Sequence, residues 1–151
     1  MVNRFERFAT DIASIHRSIQ KIERVEMAKY GLKGPHAQCL LTLSRYPEGT
    51  TASRLCEICD KDKAAISRAV AELEAAGMIL RPEGAEKRYR ANLKLTEAGY
   101  AAAAAVTEKA SVAVKRATGD YGTEMQEMFT GTLAMLAANL ETICREGLRE
   151  E

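Results

Sequence analysis

Tryptophan is absent from this 151-residue chain, aromatic residues make up 5% of it, and it has only three prolines. A core must therefore be built from aliphatic side chains, and a hydrophobic content of 46% is enough for one domain. No apolar run reaches about 18 residues and no charged-then-apolar N-terminus is present, so we expect neither a membrane span nor a signal peptide. The four cysteines are expected to be reduced thiols in a cytoplasmic protein, since a chain of this size needs no disulfide.

Motifs for catalysis and metal binding are missing as well. Cys56 and Cys59 form one C-x-x-C pair, but no second pair and no H-x-x-x-H completes a zinc site. The two histidines, His16 and His36, have no serine, cysteine or acidic partner in a catalytic pattern, and there is no glycine-rich phosphate loop. The sequence therefore indicates a binding protein, not an enzyme, with no metal and no cofactor.

The clearest pattern in the chain runs from Asp60 to Leu95. Its first half carries apolar residues at helical spacing, namely Ile66, Val70 and Leu73. Gly77 ends this helix, and the period then changes to two, as in a β-hairpin. Met78 and Leu80 are predicted to share one face of the first strand, and Tyr89, Ala91, Leu93 and Leu95 are predicted to share one face of the second. A helix with a small, polar outer face followed by a basic hairpin is typical of a winged helix-turn-helix.

The segments on either side of this pattern are predicted to be helical. Asn3 to Lys29 carries a heptad seam made of Phe5, Phe8, Ile12, Ile15, Ile19 and Ile22, which either the C-terminal helix or a second subunit would cover. Gly34 and Pro35 begin a second helix, with Cys39, Leu40 and Leu43 facing inward. Thr96 caps a helix that runs to about Ala117. Thr123 to Gln126 fits a capping box for the last helix, whose apolar stripe runs from Met125 to Leu148.

A short third helix, ASRLCEIC, comes directly before the Asp60 to Leu95 pattern. Thr51 is its predicted N-cap, and Leu55, Cys56 and Cys59 are predicted to share its buried face. Asp62 is the predicted N-cap of the helix that follows. Two short helices joined by a tight turn, the second with small residues outside, form a unit that fits a DNA major groove.

The positive charge of the chain lies where DNA would be contacted. Residues 61–94 carry 8 Lys and Arg residues against 5 Asp and Glu, whereas residues 95–151 carry 5 against 9. A net charge of +1 for the whole chain hides this separation. The distribution favours a nucleic-acid partner for the central segment, although an ordinary solvated surface would also account for it.

Four motifs, in this order and spacing, resemble the MarR family of winged helix-turn-helix transcriptional regulators. They are T-x-x-x-L-C at Thr51 to Cys56, D-x-x-x-I-S-R at Asp62 to Arg68, L-x-x-x-G-M-I-x-R at Leu73 to Arg81, and L-T-x-x-G at Leu95 to Gly99. The resemblance implies a mainly α fold with a small β-wing, formed by residues 1–151 as a single domain. The winged lobe would occupy about residues 32–96, between dimerisation helices at about 3–29 and 97–148.

The resemblance also implies a function. The protein would be an obligate homodimer, with its first, fifth and sixth helices forming the dimer layer. It would bind a pseudo-palindromic operator in double-stranded DNA, most simply as a repressor, through paired recognition helices and wings.

Candidate DNA contacts lie on the recognition helix and on the wing. Arg68 is long and always charged, so it could reach a guanine edge or a phosphate. Lys63 and Ser67 are suited to phosphate or positioning contacts, whereas Ala64 and Ala65 stand where the family often has hydroxyl groups and would make methyl contacts. The wing carries Lys87, Arg88 and Arg90. Either arginine could enter a minor groove, because the sequence does not decide between Arg88 and Arg90.

Two further hypotheses concern regulation. By resemblance, a pocket between the dimer helices and the DNA-binding lobe would take an aromatic acid or a phenolic compound, with His16, Met27, Tyr30 and His36 as candidate ligand-binding residues. Cys56 and Cys59 are interpreted as core residues, and thiol-based redox sensing is the alternative interpretation. A helical protein–protein interaction module is the alternative function of a different class.

Overall fold

The computed structural model describes residues 3–81 and 92–148, and it confirms a mainly α fold with a small wing. Six helices and two short strands follow one another in the described residues: α1 Arg4–Ala28, α2 Gly34–Ser44, α3 Ala52–Cys59, α4 Lys63–Ala75, β1 Ile79–Leu80, β2 Lys94–Leu95, α5 Glu97–Thr118 and α6 Thr123–Glu146. The chain divides into two compact units, Met1–Ala113 and Val114–Glu151. In the described residues, no helix combines the length and the apolar character that a bilayer crossing requires.

The core of the first unit lies where α2, α3, α4 and the strands meet. Aliphatic side chains fill it, as the lack of aromatic residues requires; its most buried members include Leu40, Leu43, Leu55, Leu73, Leu93 and Val106. The predicted inward face of α2 is confirmed, since Cys39, Leu40 and Leu43 are all buried. Met27 near the end of α1 is buried in the same cluster. This core holds the helix-turn-helix against the second half of α1.

The predicted caps of the short helices are confirmed. Thr51 Oγ1 accepts a hydrogen bond from the Arg54 backbone N–H at 3.2 Å, which begins α3. Asp62 Oδ1 accepts one from the Ala65 N–H at 2.7 Å, which begins α4. Each cap satisfies a backbone donor that the first helical turn leaves unpaired. Local sequence therefore fixes where both helices of the helix-turn-helix begin.

The strands differ from the sequence prediction in the face that their residues present. Ile79 is 2% exposed and Leu80 is 60% exposed, so placing Met78 and Leu80 on one shared face was wrong. Met78 precedes the strand because its N–H bonds to the Leu73 carbonyl at 2.9 Å and closes the end of α4. The alternation begins at Ile79, which pairs with Leu95. The predicted face of the second strand is confirmed at Leu93 and Leu95, which are buried, whereas Tyr89 and Ala91 lie outside the described residues.

A tight junction connects the sheet to α5. The Thr96 hydroxyl donates to the Gly77 carbonyl at 2.7 Å and accepts from the Gly99 N–H at 3.1 Å, which confirms Thr96 as the cap of α5. The Thr96 N–H bonds to the Met78 carbonyl at 3.0 Å. Gly99 packs so closely on this carbonyl that a Cβ atom there would overlap the Met78 oxygen. The junction therefore holds the end of α4, the strands and α5 in one fixed arrangement.

The long helices α1 and α6 leave apolar side chains exposed within the single chain. On α1, Phe5 is 69% exposed and Ile15 is 51% exposed, so the first part of the predicted heptad seam has no cover from its own unit.

The predicted capping box of α6 was wrong, because that helix begins one residue earlier, with Gly122 as its N-cap. The Gln126 N–H bonds to the Gly122 carbonyl at 3.1 Å, so Thr123 already lies inside the first turn.

Candidate nucleic-acid interface

The turn between α3 and α4 orients the candidate recognition helix, α4. Asp60 adopts a left-handed conformation with φ of 48°, and the Lys61 N–H bonds back to the Cys56 carbonyl at 3.1 Å. Asparagine and aspartate tolerate this conformation better than other non-glycine residues. Two residues later the Asp62 cap begins α4. Hydrogen bonds therefore fix both the end of α3 and the start of α4, which sets the direction of α4 relative to α3.

The outer face of α4 is exposed where the sequence placed its DNA contacts. Lys63, Ala64, Ser67 and Arg68 are all exposed, while Ile66, Val70 and Leu73 are buried on the opposite side. Ala65 differs from the others, because it is half-buried and lines a cavity next to α2. The structure therefore brings four of the five predicted contacts on α4 to one surface. The predicted wing contacts, Lys87, Arg88 and Arg90, lie outside the described residues.

A salt bridge that the sequence analysis did not single out ties the base of the wing to α4. Arg81 Nε and Nη2 donate to the two carboxylate oxygens of Glu74, each at 2.9 Å. These hydrogen bonds raise the pKa of Arg81 above its ordinary value. The two-point geometry fixes the orientation of the guanidinium group as well as its position. Arg81 ends the L-x-x-x-G-M-I-x-R motif, which was the only sequence signal for this contact.

Beside this salt bridge lies a groove of about 170 Å³. Its lining combines one flank of α4 with the start of α3 and the base of the wing: Ala52, Lys63, Ser67, Val70, Ala71, Glu74 and Arg81. Lys63 and Arg81 contribute positive charge to it, and Glu74 contributes one negative charge. The groove therefore combines charged side chains with apolar ones and adjoins the exposed face of α4.

His36 connects α2 to α4 and is not available to a ligand. It is buried, its Nδ1 accepts the Lys33 backbone N–H at 2.8 Å, and its Nε2 lies 2.6 Å from a carboxylate oxygen of Glu72. The two ring nitrogens therefore contact the backbone at the start of α2 on one side and a carboxylate of α4 on the other. The side chain thus satisfies a backbone donor at the start of α2 and bonds to the middle of α4.

The four predicted ligand-binding residues differ in their exposure in the part of the chain that the structure describes. Met27 and His36 are buried in the core region, whereas His16 and Tyr30 are exposed. A cavity of about 650 Å³, which we call the basic cavity, lies instead between α1 and the start of α2. Its lining is rich in cations and includes none of the four: Arg17, Gln20, Lys21, Glu23, Arg24, Ala28, Leu32, Lys33, Gly34, Pro35, Gln38 and Lys61. Burial raises the pKa of Glu23, the single acid in this lining.

Comparison with known proteins agrees with this architecture. The sequence profile described as the MarR family matches residues 30–88. The resemblance to the MarR family is confirmed. The profile covers the helix-turn-helix and reaches into the wing, which are the elements that form the candidate interface. No curated protein matches the chain.

Solved structures of MarR regulators share the fold over almost the whole chain. A MarR transcriptional regulator from Methanosarcina mazei Go1 is 21% identical, with a TM-score of 0.80, over 91% of this chain and 99% of its own. A MarR-family regulator from Listeria monocytogenes, complexed with a 26mer DNA, is 20% identical, with a TM-score of 0.75, over 95% of this chain and 97% of its own. The MarR protein itself is 24% identical, with a TM-score of 0.76, over 97% of this chain and 99% of its own. The MarR winged-helix fold therefore includes α1, α5 and α6.

The cysteines and acidic residues do not form a metal centre in the described residues. No group of three or more His, Cys, Asp and Glu side chains there is arranged to hold a metal ion. All four cysteines are free thiols. Cys59 is buried, as predicted for a core residue, whereas Cys56 is only half-buried and packs against the core.

Proposed function

We propose that the protein is a sequence-specific DNA-binding transcriptional regulator that acts as a homodimeric repressor on a pseudo-palindromic operator. The exposed outer face of α4 supports this proposal most directly. Its side chains Lys63, Ser67 and Arg68 stand together on a helix whose start is fixed by the Asp62 cap. Small residues around them would let the helix approach base edges closely in a major groove. Such a regulator would work in the cytoplasm.

The exposed apolar row on α1 supports the homodimer. Phe5, Phe8, Ile12 and Ile15 are each at least 39% exposed in the single chain. Four large apolar side chains at heptad spacing form a helix surface of the kind that a second helix covers. A second copy of the chain would bring a second α4 to the same DNA, and a pseudo-palindromic operator matches that symmetry.

Substitution of Arg68 with alanine tests the DNA-binding face. We expect operator affinity to fall by about 5-fold to 150-fold, the range for losing one good base contact. Folding should not change, because Arg68 is exposed and lies opposite the buried stripe of α4. Gel shift on an operator selected from genomic fragments measures the effect.

Arg116 near the end of α5 provides the matched control for Arg68. It is exposed and basic, and lies outside the winged lobe, so Arg116→Ala removes the same charge from another element. Its operator affinity should stay close to that of the unsubstituted protein. Equal losses in both variants, or no loss in Arg68→Ala, would show that α4 does not read DNA as proposed.

The exposed α1 row also favours a second candidate, a helical protein–protein interaction module. The two functions differ in their dependence on salt. DNA binding that neutralises several phosphates weakens steeply with salt, whereas association through an apolar helix surface does not. Proteins that bind DNA phosphates lose several orders of magnitude in affinity between about 50 and 200 mM salt. If the affinity of this protein for DNA stays constant over that range, the interaction module is favoured.

We further infer that the basic cavity takes a small anionic effector, and that an aromatic carboxylate fits it better than a neutral phenol. Arg17, Lys21 and Arg24 line it from α1, and Lys33 and Lys61 from the segments around α2 and α4.

In titrations with benzoate, the double variant Arg17→Ala/Lys21→Ala should bind about tenfold more weakly, which corresponds to about 1.4 kcal/mol. The variant Lys109→Ala/Lys115→Ala on α5 is the control. Equal binding of uncharged benzyl alcohol would exclude the anion site.

A further inference from the structure

A buried histidine joins the candidate recognition helix to the helix that packs against it. His36, in the first turn of α2, is 3% exposed, and its Nδ1 accepts the backbone N–H of Lys33 at 2.8 Å. Its Nε2 lies 2.6 Å from a carboxylate oxygen of Glu72 on α4. The Glu72 side chain is 50% exposed, so this carboxylate stands at the edge of the contact between α2 and α4. One polar side chain therefore spans from the N-cap residue of α2 to α4.

The buried side of α4 is otherwise aliphatic in the described residues. Its members are Ile66, Ala69, Val70 and Leu73. Burial of such side chains stabilises the packing of the helix, but the hydrophobic effect is non-directional. A hydrogen bond to a carboxylate is strong and depends on both distance and direction. The contact between His36 and Glu72 is therefore suited to select one rotation of α4 about its axis.

The same rotation determines where Arg68 points. Glu72 follows Arg68 by four positions on α4, so the two side chains leave the helix on the same side, one turn apart. A rotation that separated Glu72 from His36 would turn Arg68 through the same angle. Hydrogen bonds to base edges depend on this direction, whereas the attraction between basic side chains and phosphates is independent of sequence. The buried contact thus bears on how α4 would read bases.

We propose that His36 is a positioning residue for operator recognition, which acts through Glu72 to set the rotation of α4 and the direction of Arg68. This inference rests on the proposed function, because it assigns a role in DNA reading to a side chain that is buried behind the DNA-binding face. The contact contributes to the preference for the operator over other DNA. Its loss lowers specific affinity and leaves non-specific affinity close to its original value.

Two substitutions of Glu72 test the contact at equal charge. Glu72→Ala and Glu72→Gln both remove the negative charge, but only glutamine keeps an amide that can hydrogen-bond to the His36 ring. Alanine is the better helix former, so a defect of Glu72→Ala cannot come from helix propensity. In gel shift, the operator affinity of Glu72→Ala should be about tenfold below that of Glu72→Gln. Their affinities for a scrambled duplex of the same length should agree within about twofold. Equal operator affinities of the two variants would overturn the positioning role, and so would equal losses on operator and scrambled duplex.

A double-mutant cycle examines the contact from the side of α2. In His36→Asn, the amide oxygen stands close to the position of Nδ1 and can accept the Lys33 N–H, but the side chain is too short to reach Glu72. The variant His36→Asn/Glu72→Ala should lose no more operator affinity than the weaker of the two single variants. Losses that add up would show that the two residues act independently, contrary to the proposal. Because Glu72 is half-exposed, the pair of Glu72 variants decides the question even if His36→Asn does not fold.

Hydrogen exchange of the DNA-free protein separates failure of this inference from failure of the proposed function. Amides of α4, residues 63–75, should exchange faster in Glu72→Ala than in Glu72→Gln, while amides of α5, residues 97–118, should exchange alike. If the unsubstituted protein binds no duplex, the proposed function is refuted, and the exchange rates alone decide whether His36 holds α4. Equal exchange of α4 in the two Glu72 variants would overturn the inference, whether or not the protein binds DNA.

Discussion

Replacement of Gly99 with alanine is expected to lower the free energy of unfolding by about 3 kcal/mol or more, at the upper end of the range for overpacking. A Cβ atom at this position would overlap the Met78 carbonyl oxygen and would come within 3.1 Å of Leu95 Cδ2. The oxygen cannot move away freely, because it accepts the Thr96 N–H at 3.0 Å. The added methyl group must therefore push apart the end of α4, the strand pair and the first turn of α5.

Gly131 supplies the matched control, since it is a helical glycine with no atom of the described residues within 4 Å of its Cβ position. Gly131→Ala should stabilise the protein by about 0.5–1 kcal/mol through helix propensity. Urea unfolding of both variants, at one fixed protein concentration because a dimer would make stability depend on it, gives the comparison. A Gly99→Ala variant within 1 kcal/mol of the unsubstituted protein would mean that the junction relaxes easily.

The same junction explains why one glycine matters to the DNA-binding surface. Met78 follows α4, and Gly99 belongs to the helix that enters the flanking part of the fold. Displacement at their contact would change how the wing strands are held against α4. We therefore expect Gly99→Ala to weaken operator binding as well, although no part of Gly99 faces the exposed side of α4.

Features that depend on neighbouring residues were predictable from the sequence. The caps at Thr51, Asp62 and Thr96 each need a side-chain oxygen only three residues before the N–H that it accepts. The buried stripe of α4 follows from helical spacing alone.

Two local predictions failed. Met78 and Leu80 do not share a face, since Met78 is buried and Leu80 is exposed. The capping box of α6 also failed, because Gly122 and Thr123 compete for the N-cap position and the sequence pattern does not rank them.

Features that depend on tertiary contacts were not predictable in the same way. The C-x-x-C spacing drew attention to Cys56 and Cys59, but the fold places Cys39, which is 20 positions before Cys59, in the lining of the same cavity as Cys59. The Glu74–Arg81 salt bridge spans seven positions and follows from the turn at Gly77, and His36 meets Glu72 across two helices. The half-burial of Ala65 has the same origin, since Ala65 shares the lining of one cavity with residues of α2.

The candidate effector site also depends on tertiary contacts that the sequence does not reveal. His16 and Tyr30 were named from the family resemblance, as residues of the first two helices, yet neither lines the basic cavity. The cavity is defined by cations from α1 that are spaced along one face, Arg17, Lys21 and Arg24, together with the start of α2. In the sequence these residues read as an ordinary solvated helix surface, and only the packing of α1 on α2 converts them into the wall of a cavity.

Replacement of Leu73 with alanine should cost about 2–5 kcal/mol of unfolding free energy, because Leu73 is 0% exposed in the core of the first unit. Alanine is the better helix former, so the loss must come from the cavity and from lost packing rather than from α4 itself. Leu80→Ala removes the same atoms from an exposed position and should change stability by no more than about 0.5 kcal/mol. Unfolding in urea at one protein concentration compares them. Equal costs for the two leucines would contradict the assignment of Leu73 to the core that holds the recognition helix in place.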